Sequence, residues 1–334
     1  MKIVIIKLSA LGDLVQAMVV LQFIKKINKK IIIDWVVEDC YKDLLMSHPD
    51  INKLHTLKLK KAKKNKSLKQ AYRELKKVKN IGDYDIAIDM QGLLKSAIVT
   101  SFIQAKLKVG FDKNSTRESI AAIFYNKKLS INYSENIIVR NFSLVMHALD
   151  EKIESKKLYD KVPFLFSSNQ FKLDDLLSNK KNILLIVGAS FESKCYPPEK
   201  LIEIIKSIDA NYFVVWGNEN ENLIAQKIKS KVNSLNVLNK MSLNQLISVV
   251  NQMDLVIGPD TGPTHIAWGL NIPSITLFGP TSAYRNCLIS NKNHAIESET
   301  EVNPFKINKN DFSIKNILVA DIVKKSNKLL EVTL

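Results

Sequence analysis

Cysteine is scarce: Cys40, Cys195 and Cys287 are the only three in 334 residues. They lie far apart and are odd in number, which argues against a disulfide framework or a zinc site and fits a reducing cytoplasm. No run approaches the roughly 20 apolar residues of a membrane span. The chain opens on strand-like Ile3-Val4-Ile5-Ile6 without an apolar leader and cleavage site, so a soluble protein is expected. Neither G-x-G-x-x-G nor G-x-x-x-x-G-K-[ST] occurs, which removes the usual dinucleotide and P-loop readings and counts against a nicotinamide oxidoreductase. Neither a histidine cluster nor a suitably placed Asp-x-Asp pair offers an evident hard-metal site, so no metal and no cofactor are expected.

What is abundant is lysine. The formal net charge is +16, with 46% hydrophobic and 25% charged residues, values of a globular chain carrying a strong positive field. Much of the excess is local: Lys58, Lys60, Lys61, Lys63, Lys64, Lys66, Lys69, Arg73, Lys76 and Lys77 face a single Glu74. Such a run is either a solvated face or a docking surface for a polyanion. Arginine and aromatic interleaving, needed for base stacking, is nearly absent, so nucleic acid is the weaker partner.

Short aliphatic runs alternate with amphipathic ones, which predicts right-handed βαβ units around mostly parallel sheets. In the first half, strands are expected at 2–8, 31–37, 85–89 and 108–111, with a turn over Ser9 to Asp13. Helices are expected at 14–26, 41–46, 117–125 and 138–149, and one after Gln91 to Ser96. A polar stretch from Tyr159 to Asn179 reads as a connection. The alternation resumes with strands at 183–187, 212–217, 254–257 and 274–278. Its helices are expected at 198–208, from Glu219, at 242–253, at 266–270 and at 314–330. Length alone allows two domains, each with its own core.

In such sheets ligands gather beyond the carboxyl ends of the strands. Asp13, the Gln91 to Lys95 segment and Arg117 fall there in the first half; Ser190, Lys194 and Glu219 do so in the second. The most informative loop is Gly258-Pro259-Asp260-Thr261-Gly262-Pro263-Thr264-His265. Its glycines let backbone N–H groups approach a ligand, and a helix opening there directs a positive dipole end at an anion. Asp260 would repel phosphate, so it has another task, such as ordering the loop or meeting a hydroxyl.

Several motifs occur in one order across nearly the whole chain: Lys7-Leu8-Ser9-Ala10-Leu11-Gly12-Asp13, Asp89-Met90-Gln91-Gly92-Leu93-Leu94-Lys95-Ser96, Lys194-Cys195-Tyr196-Pro197, Trp216-Gly217-Asn218-Glu219 and Asp260-Thr261-Gly262-Pro263-Thr264-His265. With these the chain resembles glycosyltransferase family 9, the lipopolysaccharide heptosyltransferases. The Gln91 to Ser96 segment and Arg117-Glu118 resemble the branch acting on the first Kdo sugar more than the branch adding the second heptose. Tyr196 stands where the family commonly has tryptophan, and Ser190-Phe191 replaces a hydroxyl pair.

The resemblance implies an α/β, GT-B architecture: two Rossmann-like doubly wound parallel-sheet domains facing a central cleft. It places an acceptor domain at 1–160, a donor domain at 175–315 and a closing helix at 316–334. It implies inverting, metal-independent transfer of L-glycero-D-manno-heptose from ADP-heptose to the first Kdo of Kdo2-lipid A, on the cytoplasmic face of the inner membrane. Asp13 is the implied base and Lys194 the counter-charge for the leaving ADP. Ser190, Glu219, Asp260, Thr261, Gly262 and His265 would complete the donor site. Gly12, Gln91, Lys95 and Arg117 would meet the acceptor, and Lys58, Lys60, Lys61, Lys63 and Lys64 the anionic membrane surface. A heptosyltransferase with another acceptor is the nearest alternative. A non-catalytic RNA-binding protein is the alternative of another class, distinguished by a steep salt slope without ADP release.

Overall fold

A computed structural model describes residues 1–168 and 171–331 and divides into two units, Met1–Phe166 and Ser167–Leu334. Residues 169 and 170 of the expected connection, and 332–334 of the expected closing segment, lie outside the described residues.

The first unit carries six strands: β1 (Lys2–Ile6), β2 (Ile32–Glu38), β3 (Lys53–Leu57), β4 (Asp83–Asp89), β5 (Gln104–Phe111) and β6 (Lys127–Leu129). All pair in parallel, in the order β3-β2-β1-β4-β5-β6. The chain winds outward from β1 to one edge, then returns to β4 and winds to the other. The central strand β1 is almost wholly apolar because helices cover both faces of the sheet. Ile5 lies opposite Trp35 on one side and Ile88 on the other.

The second unit repeats the plan with β7 (Asn182–Ile186), β8 (Asn211–Val215), β9 (Asn236–Val237), β10 (Leu255–Pro259), β11 (Ser274–Phe278) and β12 (Asn293–Glu297). Their order is β12-β11-β10-β7-β8-β9. Ile183, Leu185, Val214, Ile257 and Ile275 build its core with Leu201 and Ile204 of the helix Pro198–Ser207. Ile322, Leu329 and Leu330 of the last helix, Val319–Glu331, belong to the same core. Both units are therefore doubly wound α/β sheets with one topological switch point each, between β1 and β4 and between β7 and β10.

Several expectations change. The closing helix expected from 314 is a 3₁₀ turn, Ser313–Asn316, followed by the helix Val319–Glu331, and the helix expected over 14–26 is two helices, Leu11–Met18 and Val20–Ile27. Edge strands β3, β6, β9 and β12 join the sheets unannounced by the sequence. The basic stretch folds into helices Leu59–Lys64 and Leu68–Lys79 after β3. The segment expected as a helix over 117–125 is a 3₁₀ turn, Ser119–Phe124. Two helices also begin earlier than expected, at Leu11 and at Gly262, so Asp13 and Thr264 lie inside first turns rather than in loops.

Candidate functional site

In the first unit the switch point is laced by hydrogen bonds. Asp13 occupies the third position of the helix Leu11–Met18, and its carboxylate accepts the Ala10 N–H at 3.0 Å. The helix starts where it does because Asp13 satisfies a donor that the first turn leaves unpaired. The Oε1 of Gln91, just after β4, accepts the N–H groups of Leu8 and Ser9, both at 3.1 Å. Buried Lys7 donates from Nζ to the Met90 carbonyl at 3.0 Å. Gln91 thus fixes the loop that leads to Gly12 and Asp13. Gln91 is itself held by Asp89, which accepts its N–H at 2.9 Å and the Tyr125 hydroxyl at 2.7 Å. Burial pushes the Asp89 pKa up, against the pull of these donors.

The acceptor cations that the sequence singled out are not equivalent. Lys95 donates to Glu38 Oε1 at 2.6 Å, and that buried carboxylate also accepts the Lys60 N–H at 3.0 Å. Glu38, at the carboxyl end of β2, therefore ties Lys95 to the start of the basic helix. Arg117 is exposed, with Nη2 3.9 Å from Glu118 Oε1. Lys58, Lys60, Lys61, Lys63 and Lys64 are all exposed, while Leu59 and Ala62 anchor their helix.

In the second unit an ion pair bridges the switch point. Lys194, beyond β7, sets its Nζ 2.9 Å from Asp260 Oδ2, beyond β10, and both side chains are buried. Asp260 Oδ2 also accepts from Thr281 at 2.9 Å, and its Oδ1 meets His265 Nε2 at 2.9 Å. Burial by itself raises the Asp260 pKa, but the adjacent Lys194 charge and the His265 hydrogen bond outweigh it and hold the carboxyl far below the usual range. Asp260 is thus an ionised hub that orders the loop, and Lys194 does not stand as an isolated cation. His265 is part of that hub.

The helix Gly262–Gly269 opens immediately after it, with Thr261 at the N-cap position but no capping hydrogen bond from its side chain, and Thr264 Oγ1 donates to the Pro259 carbonyl at 2.8 Å. Its first-turn amides occupy the crevice side of the sheet, a place suited to an anion. Tyr196 is a core residue whose hydroxyl donates to the Ile317 carbonyl at 2.9 Å.

Ser190 is exposed beyond β7, and Glu219 is exposed at the first position of the helix Glu219–Lys229. The carboxylate that the fold holds over the strand ends is Glu221. Its Oε2 accepts the Gly217 N–H at 2.6 Å and its Oε1 accepts from the Asn218 amide at 2.7 Å. A Cβ on Gly188 would lie 2.2 Å from Glu221 Cδ, so only glycine lets the carboxylate sit there. The sequence signal was present: Asn218 caps the helix and Glu221 stands three residues on.

Comparison with known proteins gives a consistent result. A family model described as Glycosyltransferase family 9 (heptosyltransferase) matches residues 72–313. The Lipopolysaccharide heptosyltransferase 1 of Campylobacter coli is 42% identical over 346 aligned positions, covering 98% of this chain and 99% of that protein. The protein of the same name from Escherichia coli K12 is 26% identical, covering 84% and 88%. Among solved structures, E. coli heptosyltransferase WaaC with ADP superposes with a TM-score of 0.80 at 21% identity, covering 98% of this chain and 100% of that one. E. coli ADP-heptose lps heptosyltransferase II gives 0.73 at 19%, covering 100% and 99%. The expected α/β class, with two doubly wound parallel sheets, is the observed one.

Proposed function

The chain belongs to glycosyltransferase family 9, the heptosyltransferases, and from that premise we propose that it transfers L-glycero-D-manno-heptose from ADP-heptose to the first Kdo of Kdo2-lipid A, with inversion and without a metal. The observation that carries this reading is the identity, over nearly its whole length, to the Campylobacter coli lipopolysaccharide heptosyltransferase 1.

The chemistry assigned to each unit follows from its rim. In a single displacement, the acceptor hydroxyl oxygen bonds to the anomeric carbon as the bond to the ADP oxygen breaks. The hydroxyl proton passes to a base, and ADP leaves with the electron pair. Asp13 is the proposed base: its carboxylate is oriented by the Ala10 N–H on a loop that Gln91 pins. Positioned proton removal contributes about 10²–10⁴-fold. Lys95 and Arg117 are assigned to acidic groups of the acceptor.

The leaving diphosphate is assigned to Lys194, Ser190 and the amides of Thr261 and Gly262. An ammonium has three donors, and Asp260 engages one of them, so Lys194 can serve both the hub and a phosphate oxygen. The hub fixes the ammonium before the substrate arrives, the condition under which one such donor contributes on the order of 3 kcal/mol. Glu221, rather than Glu219, is assigned to the ribose hydroxyls, because its carboxylate lies over Gly188 at the ends of β7 and β8.

Among the described residues no helix is long and apolar enough to cross a membrane. The lysine-rich helices are assigned to the anionic cytoplasmic leaflet, where each basic group near the surface adds ~1 kcal/mol.

The test is ADP release from ADP-heptose with Kdo2-lipid A, with its heptosylated product, and with neither. Release that depends on Kdo2-lipid A, and is nearly abolished by Asp13→Ala with ADP binding intact, is the expected result. Dependence on the heptosylated product would move the protein to another acceptor, and near-normal turnover of Asp13→Ala would remove the base assignment.

A further inference from the structure

The first unit exposes two apolar pairs that its own packing leaves uncovered. Leu68 and Tyr72 stand one turn apart on the helix Leu68–Lys79 and are 87% and 54% exposed. Ile120 and Ile123 are 55% and 70% exposed on the 3₁₀ turn Ser119–Phe124. Residues three apart eclipse in a 3₁₀ turn, so these two isoleucines form one stripe.

Both pairs belong to the same rim. Leu68 begins the helix that returns from the carboxyl end of β3. The turn Ser119–Phe124 packs Ala121 on Ala97 in the first turn of the helix Leu94–Phe102, and Glu118 just before it accepts the Leu94 N–H at 2.7 Å; that helix opens beyond the carboxyl end of β4, so the turn also lies at the carboxyl end. The sheet order puts β3 on one edge and β6 on the other, with Asp13 and Gln91 beyond the central strands. Each pair is ringed by cations. Lys69, Arg73 and Lys76 flank the first, and Lys76 Nζ lies 5.0 Å from the Tyr72 ring. Lys113 and Lys128 line, with both isoleucines, an open depression of about 490 Å³. Its one acid, Asp112, turns to the N–H groups of Asn114 and Ser115 at 3.0 and 2.8 Å.

We infer that this rim docks on a bilayer containing anionic lipid at two points, Leu68/Tyr72 at one edge and Ile120/Ile123 at the other, with the lysines meeting headgroups. Aromatic and aliphatic side chains enter the interface while flanking cations stay in the headgroup layer. Two contacts on opposite edges, unlike one, fix the rim's orientation toward the membrane. The inference deepens the proposed use of a membrane lipid as acceptor, and it adds an apolar contribution that salt does not screen.

The experiment is sedimentation of the full chain with vesicles of phosphatidylcholine alone or mixed with phosphatidylglycerol, at low and high salt, without donor or acceptor. Wild type should bind the anionic vesicles and keep part of that binding at high salt. Leu68→Ser/Tyr72→Ser and Ile120→Ser/Ile123→Ser should each weaken partition on the order of tenfold and abolish the salt-resistant part. ADP affinity and melting temperature should be unchanged in both. Variants that partition like wild type, a wild type that ignores anionic vesicles, or a self-association lost in the variants would each overturn the inference. Because no turnover is measured, failure here is distinct from failure of the acceptor assignment, which the ADP-release assay reads separately.

Discussion

At the scale of single residues the most informative contact is the buried pair of Lys194 and Asp260. Removing one member of such a pair leaves an uncompensated charge inside the protein, which costs about 3–5 kcal/mol. Lys194→Ala is therefore expected to lose stability as well as donor binding, and Asp260→Ala to lose stability by a similar route. The double variant should lose less than the sum of the two, which urea unfolding of all four proteins would measure as a coupling energy. The pH dependence has a definite sign. Asp260 is lowered in the fold, so its contribution is fully present above the unfolded aspartate value of about 3.9 and disappears as pH falls through the lower folded value. Asp260→Asn should flatten that acid limb, and an unchanged limb would show that other carboxylates govern it. The sequence alone already required a task for Asp260 other than meeting phosphate. It could not reveal that Lys194, 66 positions away, is the partner, because pairing across a switch point is a property of topology.

At the scale of elements, β10 and the helix Gly262–Gly269 meet more closely than side chains permit. A Cβ on Gly258 would come within 2.6 Å of Ile186 Cβ and 2.9 Å of Thr264 Oγ1. Neither neighbour is the tip of a long flexible chain, so Gly258→Ala must separate β10 from β7 or from the helix. Overpacking of this kind costs about 1–3 kcal/mol. Chemical denaturation should show that loss together with weaker ADP binding, since the displaced turn carries Asp260 and Thr261. The same scale explains what could be read from the sequence. The strands recognised there, β1, β2, β4, β5, β7, β8, β10 and β11, occupy interior positions, and most are close to continuous apolar runs because helices cover both faces. The four that escaped notice, β3, β6, β9 and β12, are the four sheet edges. Edge strands are short and polar, often lysine-bearing, which discourages pairing with other chains and erases the periodicity that would announce them. The helices Leu59–Lys64 and Leu68–Lys79 went unread for a related reason: each buries only two residues, Leu59 and Ala62 in one, Glu74 and Val78 in the other.

For the whole molecule, the assignment of donor groups to residues of 167–334 alone makes a prediction that does not depend on catalysis. A ligand that binds the folded state stabilises it by about 2.7 kcal/mol at a concentration 100 times its dissociation constant. With ADP at saturation, hydrogen exchange of the full chain should slow at 188–194, 217–221 and 258–265, the three strand-end segments that carry Lys194, Glu221 and Asp260. Amides of 8–13 and 89–95 in the first unit should exchange at their unliganded rate, because Asp13 is assigned to the acceptor hydroxyl and Lys95 to the acceptor's acidic groups. A Glu221→Gln variant should lose protection first at 217–221, whereas Glu219→Gln should keep the wild-type pattern. Protection concentrated in the first unit would reverse the division of substrates. Equal sensitivity at Glu219 and Glu221 would show that neither carboxylate is specifically placed for the nucleotide. The distinction is physical: a helix-start charge acts through a screened field, while Glu221 is fixed by two hydrogen bonds over a glycine and loses its role when either lone-pair geometry or charge is changed.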